Sequence, residues 1–375
     1  MTKLLNEEKK NSNYQEQNLF CLKESRNKMS LDRLKYFGHL LGGIKEVLHS
    51  RFIAKRPRPF TFSHLVTSKC NCNCDFCFWK HHRDNEDLSL DEIKRIYKEA
   101  SKEGYMNSIL WGGEPLLRQD FTEIAKASHD VGMYTKMATN GWFLEENHEF
   151  GNYMDLIFVS IDAIGSKHDE LRKLPGLFDK CVSGIEFHKK RYPKMRIYVC
   201  CTVSAANDFD SIKEVAKLCK DLDILLYFTV NKSYHSFEEW ENKNGFKKLE
   251  LENDNLADIF KKIKILKKQG YPIRNSDYFM DYIINKKTFY HCHWPQVATV
   301  MYSNGYLLRC SDRKPIISVK DRPLKEVLRS EEFINMVNIC KDCKLACVGN
   351  YALDASGLWR FEPAAIKSLA QIAIT

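Results

Sequence analysis

Cys70, Cys74 and Cys77 form a CxxxCxxC array within the run Cys70-Asn71-Cys72-Asn73-Cys74-Asp75-Phe76-Cys77. Thiolates are soft ligands that select iron–sulfur centres or zinc. Three of them on one short loop leave the fourth iron of a cubane cluster without a protein ligand. That iron is an open coordination site, where a substrate or cofactor binds. Structural zinc is the competing reading, but zinc pairs a CxxC with a second CxxC or with two histidines, and neither lies near this loop. Cys72 also permits a CxC reading; the 70/74/77 set is complete without it, so Cys72 is read as a bystander. Downstream, Trp111-Gly112-Gly113-Glu114-Pro115 sets two glycines where a backbone can approach a ligand closely, with a carboxylate beside them.

The chain has fourteen cysteines in 375 residues. The N-terminus is polar where a signal peptide needs an apolar core, and no window approaches 18 consecutive apolar residues. The expected setting is therefore the cytoplasm, with peripheral contact at the inner face of the membrane left open. Cytosolic thiols stay reduced, so the cysteines point to metal or catalysis rather than disulfides. Five gather after Gly270: Cys292, Cys310, Cys340, Cys343 and Cys347. Cys21, Cys181, Cys200, Cys201 and Cys219 read as small core or surface residues. His291 and His293 read as supporting or surface groups beside Cys292. The formal net charge of +9 favours an anionic partner such as phospholipid headgroups, but it weighs lightly alone, and no nucleic-acid partner is expected.

These residues need a scaffold, and the patterning implies one. From Pro59 onward, β-rich runs alternate with helix-period runs, the signature of repeated βα units around a parallel sheet. Strands are expected over 60–67, 108–111, 134–139, 156–161, 197–203 and 224–230. Helices are expected over 89–103, 121–131, 178–191, 212–222 and 251–269. Ser89-Leu90-Asp91-Glu92 opens the first of these as a capping box. Six units are too few for a closed barrel of eight, so the expected fold is α/β, a partial (β/α)6 barrel with its chemistry at the C-terminal strand ends. The cysteine loop follows the first strand and the Gly-Gly-Glu run closes the second. Before the barrel, Leu31, Leu34, Phe37, Leu41, Ile44 and Leu48 recur at helical spacing among Arg33, Lys35, Lys45 and Arg51, which reads first as a helix packed across the core and second as a basic membrane-surface helix, with Gly42-Gly43 expected to kink or divide it. The organisation is a polar tail and basic amphipathic segment over 1–58, a core over 59–270, a cysteine-rich unit over 271–350 and an apolar tail over 351–375.

In that order, these motifs resemble the radical S-adenosylmethionine (radical SAM) superfamily. The resemblance covers residues 60–231 and implies that Cys70, Cys74 and Cys77 hold a 4Fe-4S cluster whose open iron chelates S-adenosylmethionine. An external electron, from a ferredoxin or flavodoxin type of donor, then cleaves the sulfonium bond, and a 5'-deoxyadenosyl radical takes hydrogen from a substrate carbon. The resemblance further implies that Gly112, Gly113 and Glu114 hold the methionine amino group. It implies that Asn140 and the Ser160-Ile161-Asp162 run line ribose and methionine, that Arg172 pairs with the carboxylate, and that Phe76 lies near adenine. The tract from Thr202 to Asn207 is similar to the family's fifth-strand segment that meets adenine. The late cysteines resemble the Twitch or SPASM auxiliary-cluster region. Five cysteines fall short of the full SPASM set, which implies one auxiliary 4Fe-4S cluster on Cys292, Cys310, Cys340 and Cys343, with Cys347 the substitute and zinc the competing metal.

The substrate is less legible. A membrane lipid leads, because the basic amphipathic segment is followed by Arg51, Lys55, Arg56 and Arg58 and the chain carries an apolar tail. A peptide or protein substrate is the alternative, and a non-catalytic iron–sulfur binding protein is the third reading.

Overall fold

The computed structural model describes residues 38, 41–54, 57–77, 86–231, 249–287, 292–308, 317–339 and 350–374. Six strands run parallel in sequence order: β1 (Thr61–Thr67), β2 (Asn107–Gly112), β3 (Tyr134–Thr139), β4 (Leu156–Ser160), β5 (Arg196–Val203) and β6 (Leu225–Val230). Each expected strand is present, within a residue at either end. Beyond β1 the sheet continues through β7 (Ala298–Met301), parallel to β1, and then antiparallel through β8 (Tyr306–Leu308) and β9 (Ile317–Ser318). Part of the stretch expected to form the cysteine-rich unit thus extends the same sheet.

α1 (residues 41–48) precedes the barrel and widens into π-helical turns over His49–Ala54. It runs unbroken through Gly42-Gly43, where a kink or division was expected. These glycines serve close packing instead: a Cβ would meet the Met106 sulfur at 2.8 Å from Gly42 and the Phe60 ring at 3.1 Å from Gly43. The crossover helices are α2 (Leu90–Lys102), α3 (Phe121–Asp130), α4 (Ser166–Arg172), α5 (Leu177–Arg191), α6 (Phe209–Asp221) and α7 (Asn253–Lys268). α2 starts on the expected capping box: the Glu92 amide donates to the Ser89 hydroxyl at 3.3 Å and the Ser89 amide to the Glu92 carboxylate at 2.7 Å. α8 (Asp277–Ile284), α9 (Trp294–Val297), α10 (Leu324–Val327), α11 (Glu331–Ile339), α12 (Asn350–Trp359) and α13 (Pro363–Ile374) follow among the described residues. α12 and α13 pack on α8, so the apolar tail is folded helix.

The two faces of the barrel sheet differ. Leu110, Met137, Ile157, Val159, Val199, Cys201, Leu226 and Phe228 are fully buried beneath the helices. Each such aliphatic or aromatic side chain contributes roughly 1.5–3 kcal/mol of burial. The alternate residues Ile109, Trp111, Lys136, Ala138, Ser160, Cys200, Thr202, Leu225 and Thr229 face the concave side and stay half-buried. Side chains alternate across a strand, so this period of two marks the concave face as the one that solvent reaches.

Candidate active site

The cysteine loop leaves the C-terminal end of β1 beside the end of β2. The Gly113 amide donates to the Thr67 carbonyl at 2.8 Å and the Glu114 amide to the Lys69 carbonyl at 2.8 Å. A Cβ on Gly112 would lie 2.2 Å from the Thr67 oxygen, and one on Gly113 would lie 2.1 Å from the Lys69 oxygen. No side chain fits at those separations, so here the glycine pair lets two backbones meet, and the close approach is to the loop. Gly112, at φ +149, also needs glycine's conformational freedom.

Glu114 is fully buried. Its carboxylate accepts from the Leu116 amide at 3.1 Å, the Thr139 hydroxyl at 2.7 Å and the Asn140 amide at 2.6 Å. Burial pushes its pKa up to about 7 against the pull of those donors. Three of a carboxylate's roughly four acceptor positions are therefore taken by protein donors, and Glu114 splices the ends of β2 and β3. Asn140 then reaches over the loop: its side-chain nitrogen donates to the Asn71 oxygen at 2.7 Å and lies 3.3 Å from the Cys72 sulfur and 4.0 Å from the Cys70 sulfur. Its own oxygen accepts from the Trp142 amide at 2.9 Å.

On the β4 side, Asp162 is buried and paired with Arg172, whose Nε and Nη2 each lie 2.7 Å from the same carboxylate oxygen. The other oxygen accepts from the Thr202 amide at 2.8 Å. Burial opposes the charge on Arg172, yet Asp162 and Cys74 hold its pKa above the usual arginine range. The Arg172 carbonyl accepts from the Asn73 amide at 3.2 Å and lies 3.8 Å from the Cys74 sulfur; its guanidinium sits 5.2 Å from the Phe76 ring centroid. His168, fully buried on α4, accepts from the Asp162 amide at 3.1 Å; desolvation lowers its pKa to about 4 and keeps it neutral. Asn207 donates to the Asp162 carbonyl at 3.1 Å and the Thr202 carbonyl at 2.8 Å, which folds the 202–207 tract against β4. Ser160 sits half-buried at the end of β4. Asn207 and His168 are positioning residues whose contacts no spacing rule exposes; Asn207 ends the tract that the family resemblance marks.

Within the loop, Cys72 is buried between its neighbours and shares thiol hydrogen bonds with both Cys70 and Cys74. The Cys72 contact lowers the thiol pKa of Cys70, and it lowers that of Cys74 to about 7 against burial, with Arg172 helping. Cys72 is therefore inside the thiol group, where the spacing had suggested a bystander. Among the described residues the Asn71 side-chain nitrogen, buried there, has no hydrogen-bond acceptor. Soft thiols with lowered pKa values on one loop fit an iron–sulfur cluster. Among the described residues no three His, Cys, Asp or Glu side chains converge on one point where a metal ion could sit. Of the residues expected to hold an auxiliary cluster, Cys292 is half-buried against the core, while Cys310, Cys340 and Cys343, like the substitute Cys347, lie outside the described residues.

Residues 65–219 match the family model described as the Radical SAM superfamily. The chain carries a radical SAM domain. Among curated proteins, it is 33% identical over 183 residues to an AdoMet-dependent heme synthase of Methanosarcina barkeri, a stretch covering 47% of this chain and 51% of that protein. It is 28% identical over 229 residues to a probable GTP 3',8-cyclase of Pyrococcus abyssi, covering 60% of this chain and 72% of that one. The chain thus spans about half the length of the first of these relatives. Two solved structures share the fold. Streptococcus suis SuiB bound to its precursor peptide SuiA has a TM-score of 0.60 at 15% identity, over 74% of this chain and 66% of that one. Native anSMEcpe with bound AdoMet and a peptide has a TM-score of 0.58 at 18% identity, over 84% of this chain and 99% of that one. The matched region begins within β1 and ends within α6, so it contains every mouth residue described above.

Proposed function

We propose that the chain is a radical SAM enzyme that abstracts hydrogen from a substrate seated at the concave face of its barrel. One observation carries this reading: the loops after β1, β2, β3, β4 and β5 bring Cys70–Cys77, Glu114, Asn140, Asp162 and Asn207 to one mouth and cross-link them there. Cys70, Cys74 and Cys77 would hold a 4Fe-4S cluster, and the Gly112–Glu114 backbone, Asn140, Ser160, Arg172 and Phe76 would surround S-adenosylmethionine. When bound and reduced by an external donor, that pair supplies a 5'-deoxyadenosyl radical. The chain's own share is to fix the loop through Asn140 and Arg172 and to line the approach with Trp111, Phe158 and Tyr198, limiting water. Residues 59–270 would be the catalytic core. A second cluster on Cys292, Cys310, Cys340 and Cys343, in a unit over 271–350, belongs to the same proposal and rests on their spacing.

A membrane lipid is the finer substrate reading, and α1 with its π-helical extension supports it. Leu41, Leu48, Phe52 and Ile53 are exposed, beside Lys45 and Arg51, while Val47 packs on Val297, Ala298 and Trp359. Such a face suits an anionic headgroup layer. Leu34, Phe37, Lys55 and Arg56 lie outside the described residues. Among the described residues no helix is long and apolar enough to cross a membrane. The test is anaerobic reconstitution followed by iron, sulfide and product analysis, alongside flotation with anionic liposomes. Stoichiometric iron and 5'-deoxyadenosine support the enzyme reading, and zinc without iron, or S-adenosylhomocysteine as sole product, overturns it. Salt-sensitive flotation supports the lipid substrate; its absence at low salt moves the assignment to a soluble peptide or small molecule.

A further inference from the structure

Lys136 sits in the middle of β3 on the concave face, half-buried, with its neighbours in the register Ser63, Ile109, Leu156 and Arg196 on the adjoining strands. Among the described residues its ammonium has no hydrogen-bond acceptor and no ion-pair partner, and it lies over the Tyr134 ring, 5.6 Å from ring centroid to nitrogen. The nearest acid acting on it, Asp155, spends one carboxylate oxygen on the Thr135 amide at 2.8 Å. A lysine charge inside a barrel costs desolvation energy that the Tyr134 ring and the more distant Asp155 charge offset only in part. Above it, toward the mouth, the concave face is walled by Trp111, Phe158, Tyr198 and Tyr227. The aromatics at 6–8% exposure retain contact with solvent, unlike the fully buried face behind them.

We propose that Lys136 is a substrate-binding residue that receives an anionic group, a phosphate or carboxylate, of a molecule whose body lies against the aromatic wall. The proposal rests on the reading of the barrel as a radical SAM core, and it adds the chemical class of the substrate. Four residues at about 3.3 Å each separate Lys136 from Asn140, so the anion would sit roughly 13 Å below the mouth. The carbon presented to the mouth would therefore lie at the end remote from the charge. Burial lowers the pKa of Lys136 to about 8, opposed by Asp155. Ser63, Tyr134, Asp155 and Arg196 are the other polar or charged groups around it, and a bound anion would raise the lysine pKa.

The test titrates phenyl phosphate, a soluble aromatic anion, and dioctanoyl phosphatidic acid below its micelle concentration into the full-length reconstituted protein at low salt. Saturable binding that weakens at least about tenfold in Lys136→Met, and falls in the wild type as pH rises past 9, supports the proposal. Tighter binding of phosphatidic acid assigns the anion to a lipid headgroup, and tighter binding of phenyl phosphate to a soluble substrate. Binding that is absent in the wild type, or equal in Lys136→Met, overturns it. Thermal stability separates a structural lysine from a binding one: relief of unpaired charge should leave Lys136→Met as stable as the wild type or more so, whereas a structural role would lower its melting temperature. Iron content and 5'-deoxyadenosine formation in the same samples report on the radical SAM reading independently.

Discussion

On the β2–β3 side of the mouth a buried carboxylate, Glu114, accepts hydrogen bonds from neutral donors alone and feels Arg172 only at a distance, while on the β4–β5 side Asp162 is paired directly with that guanidinium. The two solutions solve one problem, which is to fix a strand end against a flexible loop. They differ in what a proton or a mutation can do to them. Neutral donors leave Glu114 able to take a proton near neutrality, whereas Arg172 keeps its charge at any ordinary pH. The first side is therefore sensitive to pH and the second to loss of a partner.

Removing Arg172 should have the largest effect. Arg172→Met leaves Asp162 at 1% exposure without its cation and strips the Phe76 ring of its guanidinium, so unfolding free energy should fall by about 3–5 kcal/mol. Urea denaturation of the cluster-free chain measures this. A loss under about 1 kcal/mol would show that the Thr202 backbone amide already suffices.

Glu114 should contribute a pH slope instead. Its pKa is about 7 folded against 4.5 for the free group. Below pH 4.5 both states carry the proton; between 4.5 and 7 only the folded state keeps it, so stability falls as pH rises and levels off above 7. The drop amounts to about 3 kcal/mol. Glu114→Gln, which cannot titrate, should flatten the curve measured by urea denaturation at successive pH values. A wild-type curve without this decline would show that the three donors outweigh burial.

Backbone contact between the loops after β1 and β2 sets the next effect. Gly113→Ala drives a Cβ against the Lys69 carbonyl and should cost about 2 kcal/mol. Gly132→Ala tests the alternative cause: at φ +83 with nothing within 4 Å, it carries backbone strain without a clash and should cost about 1 kcal/mol. Equal losses would mean that the clash at Gly113 relaxes freely.

What the sequence exposed, and what it hid, follows the reach of each signal. Strands β1–β6 were legible because alternating or continuous apolar runs stand between turn residues, and α2 because Ser89 and Glu92 are local partners. β7 was not, since its pairing with β1 joins Thr61 to Ala298 across most of the chain and no local pattern encodes that. α4 is only seven residues long and starts after Gly165 at φ +59, too short for a period to show. At the site, thiol spacing located the loop, but Cys72 sits among its neighbours for a reason that depends on Asn140, 68 residues away. Lys136 read as an ordinary strand residue, because a sequence does not say which face of a strand looks inward.

Thr139 offers the smallest and most diagnostic test of the contrast. Its hydroxyl donates to Glu114 at 2.7 Å and accepts from the Gly141 amide at 3.0 Å, so Thr139→Val removes one donor while keeping the shape. Stability should fall by about 1 kcal/mol. The more telling readout is the pH at which the Glu114 decline is centred, because a donor to the ionised carboxylate is lost and protonation becomes easier. That midpoint should move upward in Thr139→Val, while Thr202→Val on the β4–β5 side, where the donor to Asp162 is the backbone amide, should leave it where it was. A midpoint that stays fixed in Thr139→Val would place the pH response elsewhere in the barrel, and Glu114 would then share the proton-insensitive behaviour of the opposite side.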